Sequence, residues 1–234
     1  MIKIENVDVH GFEAAIRGIR NPLNSWNKSD SCYLTINEIV GHPCDDGLQK
    51  EFVVGENDLE LAKKLIKAGT DHSKFMRMIT VTFDITMPMY FAKQFDTYKI
   101  GTVRNSTSTM HCIHTKEFTL DDFSYEHLIT EEAQTEKEKI VELPYIHALK
   151  VTISFLNGAR EHYLKTKDKK WWYQLIQLLP SSYNQRSTVQ LNYAVLRNIY
   201  HSRKNHKLDE WKIFCKWIEE ELPYSELITM EGLE

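Results

Sequence analysis

Cysteine is scarce and scattered, four in 234 residues at positions 32, 44, 112 and 215, with no C-x-x-C pair. That excludes a disulfide-built secreted scaffold and fits reduced thiols in a reducing compartment. Glycine and proline number only nine and six, too few for a collagen-like or low-complexity chain. No apolar run approaches the ~20 residues that span a bilayer, and the opening MIKIENVDVHGF lacks the basic start and apolar core of a signal peptide. Neither sign of charge dominates, since 29 basic against 33 acidic residues give −4. That balance argues against generic nucleic-acid binding and leaves any phosphate to a local cluster of cations. The absences together predict a cytoplasmic protein with no membrane segment, and 42% hydrophobic residues are enough to build a core.

With no internal repeat and no Pro/Gly/Ser linker, residues 1–234 read as a single domain. Ile2, Ile4, Val7 and Val9 predict a first strand whose face switches between Ile4 and Val7; Gly11 ends it, and a short helix follows at Phe12–Ile19. The segments GIRNPLNSWNKSDSC and GHPCDDG (41–47) read as loops. Asn57 as N-cap, then Leu59, Ala62, Leu65 and Ile66 before Gly69, predict a helix. Ile79, Val81, Phe83 and Ile85 alternate with polar residues as a strand does, and Pro88 then starts a helix over MYFAKQFDTYK. The charged stretch Thr130–Glu142 reads as a surface helix. YIHALKVTISFLNG fits helix or strand, AREHYLKTK and KDKKWWYQLIQLL are helical, and the latter ends before Pro180. Leu191, Val195, Ile199 and Arg203 step along one helix face, and Trp211 to Leu222 form a last amphipathic helix that packs on it as a hairpin.

Chemistry concentrates in three places. The run from Tyr98 to Thr109, with Gln94 and His72 before it, is dense in hydroxyls, amides and cations, a donor set for an anion or a polar ring; the same composition also describes a surface loop. Asn192, Asn198 and Arg203 fall on one helix but not on one stripe, and Arg203 equally suits the helix C-terminus, where the dipole favours a cation. His111-Cys112-x-His114 is a weak zinc pattern without a paired C-x-x-C, and no metal is expected. The Trp171-Trp172-Tyr173 run can offer a stacking platform, although adjacent helical aromatics point apart and favour core and interface roles.

The order His72, Met87-Pro88, Gln94, Thr97-Tyr98-Lys99, Thr102, Thr107, then Leu179-Pro180, Asn192, Leu196, Asn198, Arg203 and Trp211 resembles the flavin-dependent thymidylate synthases. The late N-x-x-x-L-x-N-x-x-x-x-R helix matches position for position. In the central Q-x-x-R-H-R-x-x-S-x-N-E-x-S-x-R-Y signature, Thr97-Tyr98-Lys99 replace R-H-R, Thr102 and Thr107 replace the serines, and Thr109 and Met110 replace the final R-Y. An arginine that the family places before L-P is replaced at Ile176-Gln177. The resemblance implies an α+β fold, one domain with a small sheet and several packed helices. It implies FAD as cofactor and the methylation of dUMP to dTMP with methylenetetrahydrofolate and NADPH, in a homotetramer. It also implies site roles: Arg203 and Gln94 in catalysis; His72, Tyr98, Lys99, Asn192 and Asn198 at the cofactor; and Gln94, Thr107 and Arg203 at the substrate. The alternatives are a relative acting on another pyrimidine nucleotide, and an inactive nucleotide-binding, flavin-binding or assembly protein.

Overall fold

The computed structural model describes residues 1–41, 49–130, 133–134, 141–142 and 144–232. In chain order the elements are β1 (Lys3–His10), α1 (Phe12–Arg20), β2 (Cys32–Thr35), α2 (Ile36–Val40), β3 (Lys50–Val53), α3 (Glu56–Lys67), β4 (Thr80–Pro88), α4 (Met89–Phe95), β5 (Val103–Ser106), α5 (Thr109–Cys112), β6 (Ala133–Gln134), β7 (Val141–Glu142), α6 (Tyr145–Thr166), α7 (Lys169–Leu178), β8 (Asn184–Asn192), α8 (Tyr193–Arg203), α9 (Asp209–Glu221) and α10 (Glu226–Thr229). Four strands form a sheet in the order β1-β4-β8-β5, and β2 pairs antiparallel with β3. The fold is α+β, as the resemblance implies.

Several local expectations hold for identifiable reasons. The switch of face in β1 occurs at Asn6, whose φ of 53° lies in the left-handed region, a conformation asparagine tolerates better than most residues. Gly11 follows at φ +100°, and a Cβ there would sit 2.0 Å from the Met78 carbonyl oxygen, so only glycine fits. Val81, Phe83, Ile85 and Met87 of β4 are each 0% exposed, which stabilises by roughly 1.5–3 kcal/mol per side chain. YIHALKVTISFLNG resolves as the first part of one helix, α6.

Others are corrected. Leu191 lies in β8 and not on the late helix: Ser187, Val189 and Leu191 are buried while Arg186, Thr188 and Gln190 are exposed, a period of two. Helix α3 starts one residue before Asn57, because the Asp30 carboxylate caps it from a distant loop, accepting from the N–H groups of Asn57 and Asp58 at 2.9 and 3.1 Å. Helix α4 stops at Phe95, short of the expected MYFAKQFDTYK. Within the supposed surface helix Thr130–Glu142, Ala133–Gln134 and Val141–Glu142 pair as the antiparallel strands β6 and β7, and most of the remainder lies outside the described residues. So does most of the predicted 41–47 loop, including Cys44; Gly41, at φ +76°, ends α2.

By internal contacts the chain divides into two units: residues 1–5, 84–97 and 104–188, and residues 6–83, 98–103 and 189–234. The first has its core between α6, α7 and the 113–128 segment, around Ile113, Phe118, Phe123, Leu149, Leu156 and Leu175. The second packs α1, α3, α8 and α9 around Ile16, Ile66, Met76, Leu196, Trp211 and Phe214. There Phe83 lies 4.9 Å from the Trp217 ring and 6.1 Å from Phe214. A buried ion pair joins α1 to α3 inside this unit: the Nε of Arg20 donates to Asp58 at 2.6 Å, with the Asp58 side chain fully buried.

Candidate functional site

The second unit gathers most of the motif residues. Asn192 ends β8 and caps α8, its side-chain oxygen accepting from the Val195 N–H at 3.0 Å. Strand and helix therefore meet at a fixed joint. Facing that joint is the turn 98–101, closed by Gly101 at φ +79°; a Cβ on Gly101 would come within 3.1 Å of the Asn192 amide nitrogen and of Val195. The turn brings Tyr98 to Arg203 at the far end of α8.

Arg203 is held on three sides by chemistry other than its own helix. Its Nε donates to the Tyr98 hydroxyl at 2.8 Å. Its guanidinium carbon lies 5.6 Å from the Tyr98 ring centroid and 5.0 Å from that of Trp211, and those two rings meet edge to face at 5.9 Å. Such contacts orient a planar cation and contribute about 0.5–1 kcal/mol each where solvent is near. The side chain makes no bond to the carbonyls of α8, so it is not spent on capping. Its two terminal nitrogens have no partner among the described residues, which leaves a flat two-donor fork.

Lys99 and His72 are exposed, and neither side chain has a partner among the described residues. Asn198 is exposed and accepts from Ser202 at 3.3 Å through its oxygen, leaving its amide N–H groups available. The Thr102 hydroxyl is buried and unpaired among the described residues, an uncommon state for a buried hydroxyl.

The first unit contains Gln94 and Thr107. Gln94 is half-buried on α4, and its backbone carbonyl takes both the N–H and hydroxyl of Thr97, at 3.1 and 2.7 Å. The Thr107 N–H donates to the Arg186 carbonyl at 2.9 Å, and its own carbonyl accepts from the Gln185 amide. Thr107 lines a cleft of about 340 Å3 with Ser108, Thr109, Lys116, Asp122, Tyr183 and others. The Asp122 carboxylate bonded to Lys116 raises the ammonium pKa, and burial, reinforced by Asp122, raises that of the Tyr183 phenol. Motif matching passed over Lys116 and Tyr183, and the signal available was only a Lys and a Tyr in otherwise ordinary surroundings. Arg104, a cation inside the same stretch, is committed: Asp96 takes its Nε and one terminal nitrogen at 2.9 and 2.8 Å, and Ser187 the other at 3.1 Å. His111 and His114 join no cluster, since no three potential ligands converge on a metal position among the described residues.

No protein-family model matches the chain, and no curated protein does. Solved structures do. A flavin-dependent thymidylate synthase ThyX from Helicobacter pylori, complexed with FAD and dUMP, matches over 98% of each chain at 15% identity and a TM-score of 0.62. A second structure of the Helicobacter pylori ThyX with FAD and dUMP gives a TM-score of 0.65 at 14% identity, over 99% of this chain and 98% of that one. The UMP/dUMP methylase PolB from Streptomyces cacaoi, bound with 5-Br dUMP, matches 100% of this chain and 97% of its own at 14% identity and a TM-score of 0.59. Along nearly its whole length the chain has the flavin-dependent thymidylate synthase fold.

Proposed function

We propose that this protein binds FAD and a pyrimidine nucleotide and methylates dUMP at C5 to give dTMP, with methylenetetrahydrofolate and NADPH as co-substrates. One observation carries the reading: Arg203, at the position that matches the family's late-helix arginine, is fixed by Tyr98 and Trp211 with its terminal N–H pair uncommitted.

The donor set suits a flavin dinucleotide. Lys99 offers a cation for the diphosphate, Asn198 an amide for a ring or ribose, His72 an imidazole, and the unpaired Thr102 hydroxyl a buried polar atom in need of a partner. Bound flavin supplies hydride transfer. The protein's part is to make C5 of the uracil a nucleophile. Two N–H groups of Arg203 at a ring oxygen draw electron density onto that oxygen and stabilise the charge that builds there as C5 attacks carbon. Because Tyr98 and Trp211 hold the guanidinium plane in advance, little reorganisation is needed at that moment. The Gln94 amide both donates and accepts, as pyrimidine edges require, and the Thr107 hydroxyl can donate to phosphate.

The homotetramer belongs to this reading. It is supported by the turn beside Tyr98 and the start of β5, where Ile100 is 93% and Val103 64% exposed, apolar surface that a second copy would cover.

Three measurements test the proposal: the visible absorbance of the purified protein for oxidised flavin, light scattering for a tetramer, and titration of dUMP into wild type, Arg203→Lys and Arg203→Ala. Flavin should copurify, and both variants should bind dUMP more weakly, because lysine keeps the charge but not the fork. A wild type that binds neither FAD nor dUMP overturns the function, and a lysine variant of normal affinity overturns the role of Arg203. The likeness to a UMP/dUMP methylase favours a second reading, in which UMP is the substrate; parallel titration with UMP decides between them.

A further inference from the structure

The hairpin of α6 and α7 carries chemistry that the proposed reaction does not use. From Arg160 to Lys170 the chain has five cations and two carboxylates, although the whole protein is net negative. The two acids sit against lysines: Glu161 lies 3.9 Å from Lys165, and Asp168 lies 3.1 Å from Lys170. The remaining lysines lie over aromatic rings, Lys167 at 5.7 Å from the centroid of Tyr163 and Lys169 at 5.3 Å from that of Tyr173. Lys170 is 5.6 Å from the Trp171 centroid. Ammonium groups and ring faces therefore alternate over the tip, and Tyr173 is 44% exposed.

A groove of about 310 Å3 opens between the same two helices. One wall is a stacked pair, His162 on Trp171, with centroids 4.2 Å apart and planes within 14°. Phe155, 65% exposed, lines it as well. Its floor passes Gly158, where an added Cβ would meet nothing within 4 Å, so a flat ring can approach the backbone. An aromatic slot beside a row of cations is the recurring arrangement for unpaired bases joined by phosphates: rings take the bases without regard to sequence, and lysines follow the backbone.

We propose that the tip of the α6–α7 hairpin, together with this groove, binds single-stranded nucleic acid. The balanced charge of the whole chain argues against a global field, not against a local one of this kind. Duplex is a poorer partner, because its bases are already stacked on each other.

The test is fluorescence anisotropy with a labelled oligothymidylate of about 12 nucleotides, a length within the usual site size. With three or four lysines displacing counterions, affinity should fall roughly 20- to 50-fold between about 50 and about 200 mM salt. The triple variant Lys167→Gln, Lys169→Gln, Lys170→Gln should bind at least about tenfold more weakly and with a shallower salt slope. Tyr173→Leu should weaken binding with the slope unchanged, and melting curves confirm that both variants fold. No binding at the lower salt, an unaffected triple variant, or a Tyr173→Leu protein of full affinity each overturns the assignment. So does displacement of the oligonucleotide by dUMP, which would place it at the nucleotide site. Lysine-dependent binding of anionic vesicles without binding of the oligonucleotide would make the surface a membrane contact instead.

Discussion

Replacing Asp58 by asparagine should remove a large share of the stability of the second unit. The carboxylate is 0% exposed and accepts five hydrogen bonds: from the Nε of Arg20 and the hydroxyls of Ser29 and Ser31, each at 2.6 Å, and from the N–H groups of Asp30 and Ser31 at 3.2 Å. An amide must turn its NH2 either toward Arg20 or toward the serine hydroxyls and backbone donors, and either choice sets donor against donor. It also leaves the guanidinium of Arg20, 7% exposed, without its counter-charge. Breaking one side of such a buried pair costs about 3–5 kcal/mol, against a total domain stability of ~5–15 kcal/mol. Urea denaturation at unchanged slope should show the loss as a lower midpoint. The effect must also depend on pH. Burial alone would push the Asp58 carboxyl up, but the bonds from Ser29, Ser31 and Arg20 outweigh it and hold the folded-state pKa below the ordinary carboxylate value. Between the two pKa values the unfolded chain therefore binds the extra proton, so the stabilisation is complete above the unfolded value of about 3.9 and is lost as pH falls through the folded one. The gap between wild type and Asp58→Asn should narrow over that acid range and be constant around neutrality. A neutral-pH difference under about 1 kcal/mol, or a gap indifferent to acid, would show that the Asp58 carboxylate does not anchor this unit.

Tyr98→Phe keeps the ring beside Arg203 and deletes its hydroxyl; dUMP affinity should drop roughly five- to thirtyfold, or about 1–2 kcal/mol, and an unchanged titration would show that the Nε bond does not orient the fork. Gly11→Ala forces a Cβ into the Met78 carbonyl at a positive φ and should cost at least about 2 kcal/mol in thermal or urea unfolding; a wild-type melting temperature would contradict the close approach. Burial pushes the Cys215 thiol up to about 12, so native protein should react with a thiol reagent at exposed Cys32 and Cys112 and at Cys215 only after denaturation. Equal labelling of all three in the native state would oppose the packing of α9.

Where residues act through their neighbours in sequence, the chain is readable. The alternation in β4, the face switch at Asn6 and the stop at Gly69 are all local, and they agree with the observed elements. What patterning alone misses depends on distant partners. Helix α3 takes its cap from Asp30, and β8 is a strand because β4 and β5 flank it; a helical count that began at Leu191 could not register either neighbour. The candidate site divides in the same way. Asn192, Asn198 and Arg203 are visible as spacing on a line of sequence. The pairing of Arg203 with Tyr98 and Trp211, the commitment of Arg104 to Asp96, and the Lys116–Asp122–Tyr183 cleft arise only on folding.

The strand order also sets a timetable. During synthesis β5 emerges with no strand beside it, because among the described residues its one neighbour in the sheet is β8, and β4 likewise waits with one edge unpaired until Asn184–Asn192 has been made. Through that interval the apolar face of β4, from Val81 to Met87, borders an open edge, the kind of surface on which nascent chains pair wrongly with one another. A ribosome stalled in α6 or α7 therefore releases a fragment that is prone to aggregate, whereas one that stops just after Asn192 has already delivered every strand of the sheet. The edge of β4 closes once Asn192 is in place, but its face at Phe83 stays bare until Phe214 and Trp217 of α9 follow, so slow translation anywhere before α9 should lower the yield of folded protein.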